Sequence, residues 1–288
     1  MIIKNAKIAL PGENELKKYD IRIDNEKIVE IARDLVDDDV FNAEGMWAFP
    51  GVIDPHVHFN DPGFNERENF FTGTSEAASG GVTTIIDMPC TSIPPVTDLK
   101  NLRGKLSAIK SQSIVDYGLF GGISAQSFSD LQKNVSSLKN EVMGFKIYLK
   151  SNMETFSRVD SFKIRKILKT VKCVESILLV HAEDADFINS AEKYYKSQGE
   201  LPVHYYKSRP ETAELLAVQN ILLINRDIRA QVHFVHISTA ESVELIKKAE
   251  ASCETAPHYL HFDVDDFARL GSSLKVAPSV KLPNNHLK

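Results

Sequence analysis

The chain has 288 residues, 43% hydrophobic and 25% charged, which suits one large globular domain, or one large and one small. Its 34 basic and 39 acidic residues leave a formal charge of −5; no basic block points to nucleic acid, and the longest like-charge run, Asp37-Asp38-Asp39, reads as a solvated turn. No run approaches the roughly 18 apolar residues of a membrane span, lysines interrupt the apolar residues of Met1-Ile2-Ile3-Lys4-Asn5-Ala6-Lys7, and Cys90, Cys173 and Cys253 form no close pair. The expected compartment is therefore the cytoplasm, with no membrane partner.

Residues 1–48 read as a small β module. Ile21-Arg22-Ile23 alternates into the turn residues Asp24-Asn25, Lys27-Ile28-Val29-Glu30-Ile31 follows, and Pro11-Gly12 offers another turn. From residue 49 to 288 the rhythm changes. Strand-like runs alternate with helix-like segments: Gly51-Val52-Ile53-Asp54, Thr83-Thr84-Ile85-Ile86, Tyr117-Gly118-Leu119-Phe120, Phe145-Lys146-Ile147-Tyr148, Ile177-Leu178-Leu179-Val180, His233-Phe234-Val235-His236 and Ala251-Ser252-Cys253-Glu254. Such alternation implies a parallel sheet, and a TIM-type (β/α)8 barrel fits it best, with seven of the eight strands in evidence. Active residues are then expected at the C-terminal strand ends.

Ligand-type side chains fall at those ends. Asp54, His56, His58 and Asn60 share one face if the strand stays regular, so His56 and His58 can reach one ion. Lys146 lies inside an apolar run, where a lysine is costly unless paired or modified. His181 ends a strand before Ala182-Glu183-Asp184, and His236 ends another before Ile237-Ser238-Thr239. Alone, each of Lys146, His181 and His236 reads as a snorkelling lysine or a satisfied core histidine; four strand ends together point to a site. Three residues separate His233 from His236, so parity puts them on opposite faces, with His236 the ligand and His233 structural. His204 and His286 fall in irregular segments and read as surface residues, and His261 has no supporting context.

The run Phe49-Pro50-Gly51-Val52-Ile53-Asp54-Pro55-His56-Val57-His58 resembles the cyclic amidohydrolases, the dihydroorotases, allantoinases and hydantoinases. Further matches are Gly80-Gly81-Val82-Thr83-Thr84, Asp87-Met88-Pro89, Gly144-Phe145-Lys146, Val180-His181-Ala182-Glu183, Ser208-Arg209-Pro210, Val235-His236-Ile237-Ser238 and Cys253-Glu254-Thr255-Ala256-Pro257-His258-Tyr259. The resemblance implies a metal-dependent hydrolase barrel with a small N-terminal β-sandwich module, acting on a small cyclic amide. It implies two divalent metals, with zinc expected and manganese, cobalt or iron as alternatives. His56 and His58 would bind one, His181 and His236 the other, and Lys146 would bridge them as its carbamate.

Dihydroorotases carry arginine at the position of Asn60 and asparagine at that of Cys90. Without the arginine a substrate carboxylate loses its bidentate donor, whereas asparagine suits a neutral ureide. The loops His58-Phe59-Asn60-Asp61-Pro62-Gly63 and Met88-Pro89-Cys90-Thr91-Ser92-Ile93-Pro94-Pro95 resemble the allantoinase forms, so Asn60, Cys90 and His258 are the expected substrate contacts. The family also places a catalytic aspartate on the eighth barrel strand, which this sequence lacks; Asp263, Asp265 and Asp266 are poor substitutes, so no catalytic acid is assigned. The expectation is an allantoinase-like hydrolase, homo-oligomeric or completed by a second chain. A dihydroorotase and a non-catalytic homologue are the alternatives.

Overall fold

The computed structural model describes every residue except 11, 13, 284 and 286–288. Pro11, expected in a turn, and His286, expected at the surface, lie outside the described residues. Contacts divide the chain into Met1–Val52 and Ile53–Lys288. The division falls after the change of rhythm at residue 49, because Trp47–Ala48 still pairs with the first strand.

The first unit holds β1 (Ile2–Ile8), β2 (Lys17–Asp24), β3 (Lys27–Ala32), β4 (Val40–Asn42) and β5 (Trp47–Ala48) in one five-stranded sheet. Its order is β3-β2-β1-β4, with β5 also against β1. The hairpin β2–β3 closes through Asn25 and Glu26, both at positive φ (46° and 60°), as a two-residue loop requires if it is to follow the twist of its strands. Ala6, Ile8, Ile21 and Ala43 form its apolar core. Asp20, almost fully buried, accepts from the backbone N–H groups of Asn5 (2.8 Å) and Leu35 (3.0 Å).

The second unit alternates strands and helices. In chain order these are β6 (Val52–Val57, from the boundary), α1 (Phe70–Ser79), β7 (Val82–Asp87), α2 (Leu99–Ala108), β8 (Asp116–Leu119), β9 (Gly121–Gly122), α3 (Leu131–Leu138), β10 (Phe145–Tyr148) and α4 (Ser161–Cys173). There follow β11 (Ile177–His181), α5 (Ala185–Lys196), α6 (Pro202–Ser208), α7 (Glu211–Asn225), β12 (Gln231–Phe234), α8 (Ala240–Lys248), β13 (Ser252–Cys253), α9 (Pro257–His261) and α10 (Val264–Leu270). The sheet runs β6-β7-β8 and then β9-β10-β11-β12-β13, with β7 to β8 and β9 through β13 parallel. β8 and β9 are two halves of one barrel strand. The chain changes partner at Phe120, whose N–H donates to Asp87 O (3.0 Å), while Gly121 N–H donates to Gly144 O (2.9 Å). Seven barrel strands result, and among the described residues none follows β13. No described helix is long and apolar enough to cross a membrane.

Two-residue alternation sorts each strand into an outer and an inner face. Phe145, Ile147, Leu178, Val180, Val232 and Phe234 face the helices in the main core cluster. Tyr148, Leu179 and Val235 point inward, with Met88, Cys90, Phe120 and Phe156. α4 meets the outer face with Ile164, Ile167, Leu168 and Val171, spaced for one helical stripe, and its first turn is capped by Asp160. Packing at the helix layer is close. A Cβ on Gly73 of α1 would stand 2.5–2.8 Å from the Phe59 ring.

That contact makes a sharp test, because Gly→Ala inside a helix ordinarily gains up to about 1 kcal/mol. Overpacking costs roughly 1–3 kcal/mol, and the rigid ring cannot step aside as a flexible side chain would. Gly73→Ala is expected to lower stability by about 1–2 kcal/mol in thermal or urea unfolding; an unchanged or raised melting temperature contradicts this packing.

Candidate metal centre

The inner face delivers its polar residues at the strand ends, where the sheet has no further side chains to pack. β6 contributes His56 and, one residue past its end, His58. Their Nε2 atoms lie 3.2 Å apart. β11 ends on His181, and His236 follows β12; His181 Nδ1 lies 3.0 Å from His236 Nε2. Lys146, on β10, belongs to the same inner face and is fully buried, and among the described residues its Nζ has no hydrogen-bond partner. Tyr148 stacks on His181, with ring centroids 4.8 Å apart, and Lys146 Nζ lies 5.1 Å from its ring centroid.

Outer partners meet the outward nitrogens of His56, His58 and His181. His56 Nδ1 meets Glu254 Oε1, and His181 Nε2 donates to Glu183 Oε2 at 2.9 Å. His58 Nδ1 faces Cys90 Sγ at 3.7 Å, and Cys90 in turn contacts Tyr148 Oη at 3.1 Å. Burial, the largest influence on each ring, holds His56, His58, His181 and His236 below the usual imidazole range, so all four are neutral. Burial also lowers the Lys146 ammonium to about 7.

The carboxylates behave oppositely. Burial pushes Glu183 and Glu254 up, but the His181 hydrogen bond and the Arg209 charge, and the bonds from His233 and His56, outweigh it and leave both near 2. Arg209 is buried between Glu183 (Nη1, 2.7 Å) and Glu192 (Nη2, 2.9 Å), and Lys281 Nζ donates to Arg209 O at 2.7 Å.

Main-chain grips complete the frame. Asp87, fully buried and ion-paired with Lys105, accepts from Phe59 N at 2.7 Å, directly after His58. Lys105 also donates to Ser92 Oγ at 2.7 Å. Glu214 of α7 grips the backbone two and three residues after His236.

Each histidine pair thus brings two ring nitrogens to one point, where they share a proton as a hydrogen bond or turn both lone pairs to a cation. Two nitrogens on one tetrahedral zinc, at about 2.0–2.1 Å, stand roughly 3.3 Å apart, close to the 3.0 and 3.2 Å observed. Among the described residues no three His, Cys, Asp or Glu side chains converge on a single point. The five candidates instead form two pairs with a neutral-prone lysine among them. Each pair therefore needs a further donor before it can hold an ion. The donor set fits two borderline divalent ions on that condition.

A cavity of about 550 Å³ opens onto the pairs, lined in part by Lys150, Asn152, Met153, Arg209 and His258. His258 Nε2 is buried and without a partner. Asn60 and Cys90 do not line the cavity. β6 ends at Val57, so its alternation does not carry Asn60 inward; Asn60 Nδ2 donates to His58 O at 3.3 Å. Cys90 lies behind His58 instead of against the cavity.

The parity argument for His233 also fails. β12 stops at Phe234 and His236 sits at φ 41°, so the chain turns His236 inward although His233 already points inward. His233 Nε2 contacts Glu254 Oε2 at 3.2 Å and thereby steadies the carboxylate that holds His56. His204, expected in irregular chain, lies half-buried in α6 and contacts Gly199 O through Nδ1 at 2.7 Å. Asp263 caps α10 by accepting from the N–H groups of Asp265 and Asp266, and Asp266 pairs with Arg269. The sequence offers Glu183 as a neighbour of His181 and Glu254 as the end of a strand-like run, with no role for either. Their signal is position: a carboxylate one or two residues past a barrel strand end.

The amidohydrolase family matches residues 47–277. The chain is 35% identical over 98% of its length to an allantoinase of Bacillus velezensis, and 32% identical over 98% to an allantoinase of Deinococcus radiodurans. It spans 63% and 64% of those two proteins, a little under two thirds. Among solved structures it superposes on an L-hydantoinase (dihydropyrimidinase) from Arthrobacter aurescens with TM-score 0.90 and 29% identity, covering 99% of this chain and 64% of that one. A dihydropyrimidinase from Brevibacillus agri gives TM-score 0.84 and 27% identity, covering 99% and 64%.

Arg209→Met leaves the buried Glu183 carboxylate without its cation and is expected to cost about 3–5 kcal/mol at neutral pH. Glu183 is depressed in the folded state, so its contribution is present above about pH 4.5 and lost as pH falls toward 2. The deficit of the variant should shrink across that window in pH-dependent urea unfolding; a pH-independent deficit contradicts the pairing.

Proposed function

Because this chain belongs to the amidohydrolase family, we propose that the protein it comes from opens a small neutral cyclic ureide, as an allantoinase does, with two divalent metal ions. The observation that carries the reading is the two facing histidine pairs around a buried lysine whose Nζ has no partner.

A lysine lowered to about 7 by burial is about half free amine at neutral pH, hence a nucleophile toward carbon dioxide. Its nitrogen bonds the carbon, one N–H proton leaves to solvent, and a carbamate anion remains. Its two oxygens would give each histidine pair its further donor, and two metal ions would balance its charge. His56 and His58 would then hold one ion, and His181 and His236 the other, with zinc suited to the imidazole and oxygen set. When bound, such ions polarise a carbonyl oxygen and bring the pKa of water toward neutrality.

The rest falls to the chain's own residues. Glu254 and Glu183 keep the inward nitrogens of His56 and His181 unprotonated by taking the outer N–H. The cations lining the cavity among the described residues, Lys150 and Arg209, are matched by Glu192 and Glu183, so those residues offer no free charge to a substrate carboxylate. That balance supports a neutral ring over dihydroorotate. His258 Nε2 is left to hydrogen-bond the substrate's amide or ureido group. Among the described residues the cavity's carboxylates are Asp54, Glu183 and Glu254, the last two committed to histidines. None is assigned the proton delivered to the departing nitrogen.

Three outcomes are expected. With ¹³C-labelled bicarbonate, a carbamate resonance should grow as pH rises through about 7, and Lys146→Ala should abolish it. The same variant should lose binuclear loading by metal analysis; two ions held with unchanged affinity would refute the bridging role. Lastly, kcat/KM for allantoin should exceed that for dihydroorotate by about 10–100-fold, the weight of one missing charge-assisted contact. Faster turnover of dihydroorotate would overturn the substrate assignment.

A further inference from the structure

Glu214, in the first turn of α7, is a buried carboxylate for which the proposed chemistry has no use. Its Oε2 accepts from Ser238 N (2.9 Å) and Ser238 Oγ (2.6 Å), and its Oε1 from Thr239 N (3.0 Å) and Thr239 Oγ1 (2.7 Å). Those donors fill the roughly four lone-pair sites a carboxylate offers. All four come from one dipeptide that begins two residues after His236, on a different element from Glu214.

His236 needs such a clamp more than the other histidines do. It sits at φ 41°, where a non-glycine residue is strained and persists only if its surroundings impose it. Among the described residues its Nδ1 is buried without a partner, whereas the outer nitrogens of His56 and His181 are held by Glu254 and Glu183 and that of His58 faces Cys90. The orientation of this ring therefore comes from the main chain. Asn285 adds a lighter hold, donating to Ser238 O and accepting from Ala240 N at 3.1 Å.

We infer that Glu214 is the positioning residue of His236, holding the corner that follows it so that Nε2 meets His181 Nδ1. This rests on the reading of His181 and His236 as a metal pair. The grip is specific to a carboxylate. Glutamine would keep the volume but turn an NH₂ group toward two of the four donors, and aspartate would fall short.

Zinc titration of the purified protein and of Glu214→Gln tests the inference, with His181→Ala as the reference for loss at that pair. The expected result is a fall of about 10–100-fold in affinity for one ion, the one lost in His181→Ala, with the other ion unchanged. Equal weakening of both ions marks a merely structural role, and no weakening marks none; either overturns the inference. A metal-free readout runs beside it. The His236 ring resonances should be single and sharp in the unsubstituted protein and broadened or doubled in the variant, and unchanged resonances refute the clamp. Should Glu214→Gln fail to fold, Ser238→Ala removes one donor and should give a smaller selective loss, about 3–10-fold; wild-type affinity for both ions then overturns the proposal. Should the unsubstituted protein take up no zinc, the two-metal reading fails, and the ring resonances alone decide the role of Glu214.

Discussion

Everything at the strand ends depends on keeping a lysine amine buried with nothing to hydrogen-bond it. A charged ammonium there would face the full cost of desolvation, and the four histidines around it, were they protonated, would add repulsion. Burial resolves both problems in the same direction. It drives Lys146 and all four rings toward their neutral forms, in which each carries a lone pair. A cluster of five neutral bases is poor at holding itself together and well suited to electrophiles, whether carbon dioxide or a cation.

Because the bases hold one another only through two close nitrogen pairs, the geometry must be imposed from behind. Buried anions do this in two ways. Glu254 and Glu183 hold rings directly through the outer nitrogen, while Asp87 and Glu214 hold the backbone just beyond a histidine. Two of the four are themselves compensated by cations, Asp87 by Lys105 and Glu183 by Arg209, while Glu254 takes ring contacts from His56 and His233. Glu214 is satisfied by neutral donors. An unpaired buried charge costs several kcal/mol, so these pairings are what allow anions to stand next to a site built for cations.

How much of this could be read in the sequence follows from what each feature depends on. The seven strands were legible because βα alternation is written in short apolar runs, and His56, His58, Lys146, His181 and His236 stood out because polar residues in those runs are anomalous. Asn60 and His233 were misplaced for one reason. Alternation is a property of regular strand, and β6 and β12 stop before the residues in question. A left-handed residue at His236 leaves no mark in composition. Cys90 was placed against the substrate because its position in the loop suggested it, whereas the side chain turns back to Tyr148 and His58. Arg209 and Glu214 were invisible as partners, since their targets lie 26 and 24 residues away in sequence.

The order of residues after β11 and β12 has a consequence for how this chain can vary. His181 is followed after two residues by Asp184, which caps α5, and His236 after two residues by Thr239, which caps α8. Within each link the residues are already committed, Glu183 to a ring and Ser238 to a carboxylate. One inserted residue there would move the cap off its helix or the ring off its partner, so these loops are fixed in length. The opposite ends of the barrel carry no such double duty. Between α7 and β12, or α4 and β11, the chain only has to return to the sheet. Length variation among descendants of this sequence should therefore collect on the far side of the barrel, leaving the links beside the histidines at two residues.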